Sequence, residues 1–267
     1  MVTMRRNRCI PLLLVACWLA AAVLASAPAR AGTPLLIWPI DPAITSGQQA
    51  TALWLENHGS QPATLQVRIF AWSQDGREEV YQPQQTVLPS PPIAAIAPGG
   101  RQLVRLIATR PAPAGVQSAY RIFIDELPAP DAPEGSGSEG AAVKLQLRYA
   151  VPLFVYGAGA VPPLTRTRDG PGALAGDALQ PKLQWTTRID GGKPFLVLSN
   201  SGNAHARVTA VEWQGPDGQA QSINPGLLGY VLAGASMRFA VASAPPRNAA
   251  LRAQLNGLTA DIPRAVD

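Results

Sequence analysis

The side chains that could carry catalysis or bind a metal are few and far apart in the sequence. The 267 residues include only two histidines, His58 and His205, and each lies in a stretch typical of a turn. The two cysteines, Cys9 and Cys17, both precede residue 31. A metal centre or a nucleophile–base pair needs several such groups together, so this spacing predicts neither a metal site nor a catalytic triad.

Asp125 and Glu126 form the acidic pair that paired-carboxylate chemistry would need. Neighbouring residues of a strand point to opposite faces, so these two carboxylates are not expected to meet at one substrate. The sequence also shows no glycine-rich phosphate loop between a strand and a helix. We therefore predict that the protein is not an enzyme and that it uses no nucleotide or other cofactor.

The first 31 residues have the features of a secretory signal peptide. Three arginines lie among the first eight residues, an uncharged run extends over 9–25, and Ala29 and Ala31 are the small residues that signal cleavage requires. We expect cleavage after Ala31, export, and no membrane span in the mature chain. The alternative is an uncleaved membrane anchor, which Pro11 and Pro28 disfavour because they shorten the helical apolar part.

Removal of residues 1–31 changes what charge and cysteine content imply. The mature chain has 18 basic and 17 acidic residues, so the basic character belongs mostly to the signal. A nearly neutral chain gives no reason to expect nucleic acid or an anionic surface as a partner. A mature chain without cysteine has no disulfide, which excludes the small disulfide scaffolds and zinc sites built on thiolates.

Any site must be positioned by β-strands, because the sequence predicts little else. The 27 prolines and 24 glycines interrupt long helices, whereas 47% hydrophobic residues are enough for a core. Apolar and polar residues alternate over 65–71 and 120–125, and turn signals such as Pro98-Gly99-Gly100 separate these runs. Two strand-rich halves joined at 157–163 predict two successive β-sandwiches.

The longest alternating run, 141–156, is the most informative part of the chain. Its apolar face spans thirteen residues and consists of Val143, Leu145, Leu147, Tyr149, Val151, Leu153 and Val155. This is long for a strand, and Pro152 favours a sheet edge because proline cannot donate to a strand ladder. Two interpretations remain open: a central strand whose face is all core, or a strand that lends its face to another chain. The preceding segment 128–140, rich in Pro, Gly, Ser and acidic residues, is expected to be a flexible loop.

Several segments, taken in order, resemble the PapD-like periplasmic pilus chaperones, in particular the archaic branch that serves spore-coat-U-type pili. In the first half they are Ser90-Pro91-Pro92, Ala97-Pro98-Gly99, Leu103-Val104-Arg105-Leu106, Glu126-Leu127-Pro128 and 148–155 (RYAVPLFV). In the second half they are 199–206 (SNSGNAHA) and 229–234 (GYVLAG). Each segment is short, but their shared order makes the resemblance specific.

The resemblance implies an all-β protein of two immunoglobulin-like β-sandwich domains, residues 32–157 and 158–267, in an L-shaped arrangement. It implies a periplasmic chaperone that fills the open groove of an incomplete pilus subunit with the apolar face of its long strand. The subunit would then pass to an outer-membrane usher without nucleotide hydrolysis. Glu126 would buttress the domain junction. The donated residues would be Val143, Leu145, Leu147, Tyr149 and Val151.

At one point the chain departs from the family pattern. Better-known members bind the subunit's terminal carboxylate with an Arg and a Lys, and the corresponding positions here are Asp41 and Pro152, which cannot donate in that way. The resemblance therefore leaves the anchor open, with Arg105, Arg121 and Arg148 as candidates. Arg105 is preferred because it lies in a matched segment. Each of the three also has the plainer interpretation of a solvated strand charge.

Two other classes of function remain to be distinguished from a chaperone. A structural pilus subunit or adhesin would also be exported and rich in strands, although such subunits often carry a disulfide that this mature chain lacks. A secreted sandwich that binds carbohydrate or acts as a hydrolase would need converging aromatic or acidic residues. The sequence does not show them.

Overall fold

The computed structural model describes residues 34–128, 147–162, 179–216 and 218–265. All regular elements in these ranges are β-strands, and they form two sandwiches, which confirms the predicted fold class. Within the same ranges there is no helix with the length and apolar character needed to cross a membrane.

The first sandwich consists of two sheets. Its strands are β1 (Leu35–Trp38), β2 (Ala43–Ile44), β3 (Ala50–Asn57), β4 (Ala63–Gln74), β5 (Glu79–Pro83), β6 (Val87–Ser90), β7 (Ile93–Ile96), β8 (Arg101–Ala108), β9 (Gln117–Leu127) and β10 (Arg148–Tyr156). One sheet has the order β1-β3-β8-β6, and the other has the order β2-β10-β9-β4-β5, with β7 also paired to β4. Every pairing is antiparallel except that of β2 with β10.

Alternating apolar residues of the two sheets fill the core of this sandwich, as the period of two predicts. Leu53 on β3, Leu65 on β4 and Ile122 on β9 are fully buried. The buried Asn57 ends β3, and its side-chain amide donates hydrogen bonds to the carbonyl oxygens of Gln61 (2.8 Å) and Ile96 (3.0 Å). A polar side chain can be buried here because its hydrogen-bonding groups are satisfied.

The second sandwich also has two sheets around its own core. Its strands are β11 (Leu183–Asp190), β12 (Lys193–Asn200), β13 (Ala206–Gln214), β14 (Ala220–Val231), β15 (Ser236–Ala240), β16 (Ala250–Leu255) and β17 (Leu258–Ile262). The sheets have the orders β11-β12-β15 and β14-β13-β16-β17. The rings of Trp185 and Trp213 lie 5.1 Å apart in the core, together with the fully buried Leu196 and Leu198. Strand β14 is an edge strand whose pairing with β13 is interrupted by register shifts.

A third apolar cluster joins the two sandwiches and includes one face of β10. Phe154 and Tyr156 point away from the first core and pack in a cluster with Trp72 and Tyr230. The Gln74 side-chain amide donates a 2.8 Å hydrogen bond to the Tyr230 carbonyl oxygen and so links β4 to β14. Strand β10 therefore contributes one face to the first core and the other to the junction.

Candidate functional site: an open strand edge beside a cationic cleft

Strand β10 is a sheet edge along its first part. It pairs with β9 over its whole length, from Arg148 opposite Asp125 to Tyr156 opposite Gln117. On its other side the two-residue strand β2 pairs only with Phe154 and the residue after it. In the described part of the chain, no strand covers the outer side of β10 before that point.

The backbone of this edge can accept another strand. The Glu126 amide donates to the Leu147 carbonyl oxygen (3.3 Å), which makes these two residues a hydrogen-bonded pair of the β9–β10 ladder. Because such pairs alternate in antiparallel sheets, the N–H and C=O groups of Arg148 and Ala150 point to the open side. Pro152 has the same orientation but lacks an N–H. Exposed strand groups of this kind bind an added strand.

The apolar face of β10 belongs to the core of its own sandwich in the later part of the strand but not at its start, beside the open edge. Leu153 is fully buried, and Val151 is 7% exposed in the same core. Tyr149 is half-buried and packs against the core from its margin, and Leu147 is also half-buried. Val151, which was expected to be donated, is thus occupied by its own sandwich. The expected residues Val143 and Leu145 lie outside the described residues.

A cleft of about 450 Å³ adjoins the open edge. Its walls come from the start of β10, from the segment of β1, and from Leu227 and Tyr230 of β14. Leu36, Ile40 and Leu227 line it with 47%, 64% and 48% of their surfaces exposed. This apolar lining was missed from the sequence, although the unbroken apolar run 35–40 was a visible signal for it.

Arg121 is the buried cation of the cleft. Its side chain is 7% exposed and forms an ion pair with Glu79 at 2.9 Å. The guanidinium lies over the ring of Trp72, 3.7 Å from the centroid, and 5.6 Å from that of Tyr230. The Arg121 Nε has no hydrogen-bond partner among the described residues. One carboxylate and two rings therefore hold the group, and the nitrogen without a partner is itself buried.

Arg207 is a second cation of the cleft, and it lies just outside the matched segment 199–206. It follows the core residue Ala206 on β13 and lines both the main cleft and an adjoining cavity of about 180 Å³. Among the described residues no carboxylate lies within 4 Å of its guanidinium. Asp41 lines the adjoining cavity, where burial raises the pKa of Asp41 and the charge of Arg207 partly offsets that effect. Of the two guanidinium groups that line the cleft, Arg207 is therefore the one without a carboxylate partner, and it hydrogen-bonds the Tyr230 side chain instead.

The other predicted anchor residues do not lie together with Arg121. Arg105 is exposed on β8, in the opposite sheet of the first sandwich. Arg148 is exposed at the start of β10 and pairs with Asp125. Of the three candidates, only Arg121 lines the cleft.

The prediction that Glu126 buttresses the junction does not match its position. Glu126 lies near the end of β9, whereas the junction contacts of that strand are made in its first half, by residues that include Gln117 and Arg121. Even Arg121 is five positions along the strand from Glu126, roughly 17 Å. The Glu-Leu-Pro segment marked the end of the strand correctly, but alternation along a strand does not show which end meets the second sandwich.

His205 lies in the junction beside this cleft. Its ring stacks on Phe154 with centroids 3.6 Å apart and planes 4° apart. Its backbone N–H donates a 2.8 Å hydrogen bond to Gln117 Oε1, and the Gln117 amide donates to the Tyr156 hydroxyl at 2.7 Å. Burial lowers the pKa of His205 from 6.5 to about 3. The ring is therefore neutral at physiological pH and serves as a flat packing surface.

Comparison with known proteins gives the class of the molecule. Residues 43–159 match the model of the pili and flagellar-assembly chaperones, PapD N-terminal domain. The chaperone protein FimB/FhaD of Bordetella pertussis is 30% identical in an alignment 145 residues long that covers 51% of this chain and 56% of that protein. The present chain thus spans little more than half the length of that curated relative in the alignment.

Solved structures extend the match over both sandwiches. A chain in the crystal structure of the CsuC–CsuE chaperone–tip adhesion subunit pre-assembly complex, from the archaic chaperone-usher Csu pili of Acinetobacter baumannii, is 31% identical, with a TM-score of 0.66. The alignment covers 87% of this chain and 100% of that one. The CupB2 chaperone of Pseudomonas aeruginosa shares the fold at 17% identity and a TM-score of 0.53, over 86% of this chain and all of that one.

These matches show that the chain belongs to the PapD-like pilus chaperone family. Within that family, the 31% identical structure comes from an archaic pilus system, in agreement with the branch that the sequence motifs indicate. The all-β fold with two immunoglobulin-like domains follows from the same comparison.

Proposed function

We propose that this protein is a periplasmic chaperone that binds incomplete pilus subunits by donor-strand complementation and passes them to an outer-membrane usher. The observation that carries the proposal is the first part of β10, where an open backbone edge coincides with an apolar face that leaves its own core. Residues 1–31 act as the export signal, cleaved after Ala31, and residues 32–157 and 158–267 are the two domains. The subunits are of the spore-coat-U type.

The donated side chains are those ahead of the buried Val151. In this proposal Val143, Leu145, Leu147 and Tyr149 enter the open groove of the subunit, while the edge amides of β10 pair with its backbone. Full burial of an apolar side chain contributes about 1.5–3 kcal/mol, so four of them contribute roughly 6–12 kcal/mol before the cost of ordering the strand. Release then needs only exchange for another strand, so no hydrolysis is required.

The terminal carboxylate of the subunit binds in the cleft beside the edge. Arg207 is the principal anchor in this proposal because its charge is unpaired by any described carboxylate within 4 Å. Arg121 adds a second positive charge to the cleft, although its guanidinium is already paired with Glu79. Guanidinium groups suit this task because they form charge-assisted hydrogen bonds with carboxylates. Arg105 and Arg148 are not part of the anchor.

Co-expression in a periplasm with the pilus subunit encoded beside the chain tests the proposal. The wild type is expected to keep the subunit soluble in a one-to-one complex, and Leu145→Glu/Leu147→Glu is expected to lose it. Ile189→Glu/Leu258→Glu is the matched control, because both residues are apolar and exposed on the second sandwich. Arg207→Gln should reduce the recovered complex, whereas Arg105→Gln should not.

Equal recovery by the wild type and the Leu145/Leu147 variant would show that the strand is not donated. Loss of the complex in the control pair as well would attribute the effect to added charge rather than to the strand. If the folded wild type retains no subunit, the chaperone function itself is refuted.

A further inference from the structure

Three neighbouring strands of the first sandwich are linked by one carboxylate. Asp125 on β9 pairs with Arg68 on β4, at 2.7 Å between Oδ2 and Nη2, and through its other oxygen with Arg148 on β10. The carboxylate side chain is only 15% exposed, although the two arginine side chains are 41% and 60% exposed. Each oxygen thus binds a different strand.

Aromatic rings fix the two arginines in place. The Arg68 guanidinium lies 5.7 Å from the ring centroid of Phe70, and that of Arg148 lies 5.5 Å from the ring centroid of Phe123. Phe70 and Phe123 meet edge to face at 5.6 Å. Burial opposes ionisation of Asp125, but the hydrogen bonds and charges of the two arginines outweigh it and hold the pKa of Asp125 below its usual value. Simple surface ion pairs contribute little, but a shared and partly buried one is held more firmly.

The ion pair between Arg148 and Asp125 lies where β10 is no longer held by the core. From Val151 onward the core itself holds β10. Ahead of Val151, the residues of β10 alternate between exposed and half-buried, and they are held by the ladder to β9 and by Tyr149 at the margin of the core. The Arg148–Asp125 pair lies in that stretch, next to the hydrogen bond from the Glu126 amide to the Leu147 carbonyl.

We infer that Asp125 is a positioning residue for the donor strand. It binds Arg148 and thereby keeps Leu147, Arg148 and Tyr149 in strand geometry on β9, so that the donated segment begins from an ordered edge. A strand ordered in advance loses less conformational entropy when it binds. Because side chains alternate, the same link also fixes which face of the strand Leu147 and Tyr149 present. This inference rests on the proposed function.

The rate of hydrogen exchange at the Glu126 amide, measured in the free, full-length mature protein, reports how firmly the start of β10 is held on β9. In Asp125→Asn and Arg148→Gln, we expect exchange at Glu126 to accelerate by about threefold to tenfold, because local opening becomes easier. Arg148→Lys keeps the charge and should restore most of the protection. Arg68→Gln is the matched control: it removes the other half of the link but leaves β10 paired, so exchange at Glu126 should stay within about twofold of the wild type.

The same variants are then compared in recovery of the subunit complex. Asp125→Asn and Arg148→Gln should lower it by a similar factor, and Arg68→Gln should leave it unchanged. Unchanged exchange at Glu126 in Arg148→Gln, or equal acceleration in Arg68→Gln, would overturn the inference. Faster exchange with unaltered subunit recovery would also overturn it. Failure of the wild type to recover any subunit would instead refute the proposed function, while the exchange data alone still decide whether the link orders β10.

Discussion

The junction between the sandwiches should weaken in acid because of one partly buried, stacked histidine. The His205 ring stacks on Phe154, and burial lowers the pKa of His205 from 6.5 to about 3. Between pH 3 and pH 6.5, His205 is therefore mostly protonated in the unfolded chain and mostly neutral in the folded protein. The stability that this neutral ring permits is complete above pH 6.5 and is lost progressively as the pH falls from 6.5 towards 3.

The size of the effect follows from the shift. One pKa unit corresponds to 1.36 kcal/mol, and pH 5 lies 1.5 units below the unfolded value of 6.5. Acidification from pH 7.5 to pH 5 should therefore cost about 2 kcal/mol at this site. His205→Phe keeps a ring on Phe154 but cannot titrate, so this variant should lose about 2 kcal/mol less than the wild type over the same range.

Two measurements check this prediction. Urea unfolding, followed through tryptophan fluorescence, gives the loss of stability at pH 7.5 and pH 5 for the wild type and His205→Phe. His58→Asn is the matched control, because His58 is the other histidine of the chain and is exposed, so the acid-induced loss should persist. Proton NMR of the His205 ring should show no titration between pH 5 and 7.5. A titration of this ring near pH 6 would refute the stacked position of His205 on Phe154 in solution.

Two further predictions concern the framework that presents β10. Leu153→Ala removes a fully buried core side chain and should lower the free energy of unfolding by about 2–5 kcal/mol. Leu147→Ala, at a half-buried position, should change it by less than about 1 kcal/mol. Urea unfolding of both variants measures the difference, and similar losses would contradict the proposed end of the core. Gly157→Ala would place a Cβ 1.8 Å from the Pro113 carbonyl oxygen, so calorimetry should show a melting temperature lower by about 3–10 °C. Gly226→Ala is the control, because its Cβ would meet its nearest neighbour at 3.6 Å. It should change the melting temperature by less than about 2 °C. Equal changes in the two variants would show that the close approach at Gly157 is relieved in solution.

The sequence was sufficient to predict the sandwiches because alternation reports directly which side chains face a core. Leu65 and Ile122 lie in runs of that period, and both are fully buried. For β10 the sequence left open a core strand or a donated edge, and the structure combines features of both. Leu153 belongs to the core, while the backbone before Phe154 has no outer partner in the described residues. Alternation describes the faces of a strand and carries no information about its two hydrogen-bonding sides.

The cleft could not be predicted because it depends on residues brought together from distant parts of the chain. Arg121 and Arg207 line the same cleft although they come from different sandwiches. Nothing local in the sequence of β13 distinguishes Arg207 from a solvated charge. The Arg105 preference followed a motif, but the motif reflects the packing of Val104 and Leu106 in the core on either side of it.

The two faces of β10 have a consequence for how the protein would be used. One face is built into the first core through Leu153, and the other holds the two domains together through Phe154 and Tyr156. Removal of this strand would therefore disrupt both the first core and the domain junction of the chaperone. In the proposed cycle the strand completes the subunit only temporarily and stays part of the chaperone, so the released subunit must be completed by a strand from another molecule. One folded molecule can then serve a succession of subunits and emerge unaltered each time.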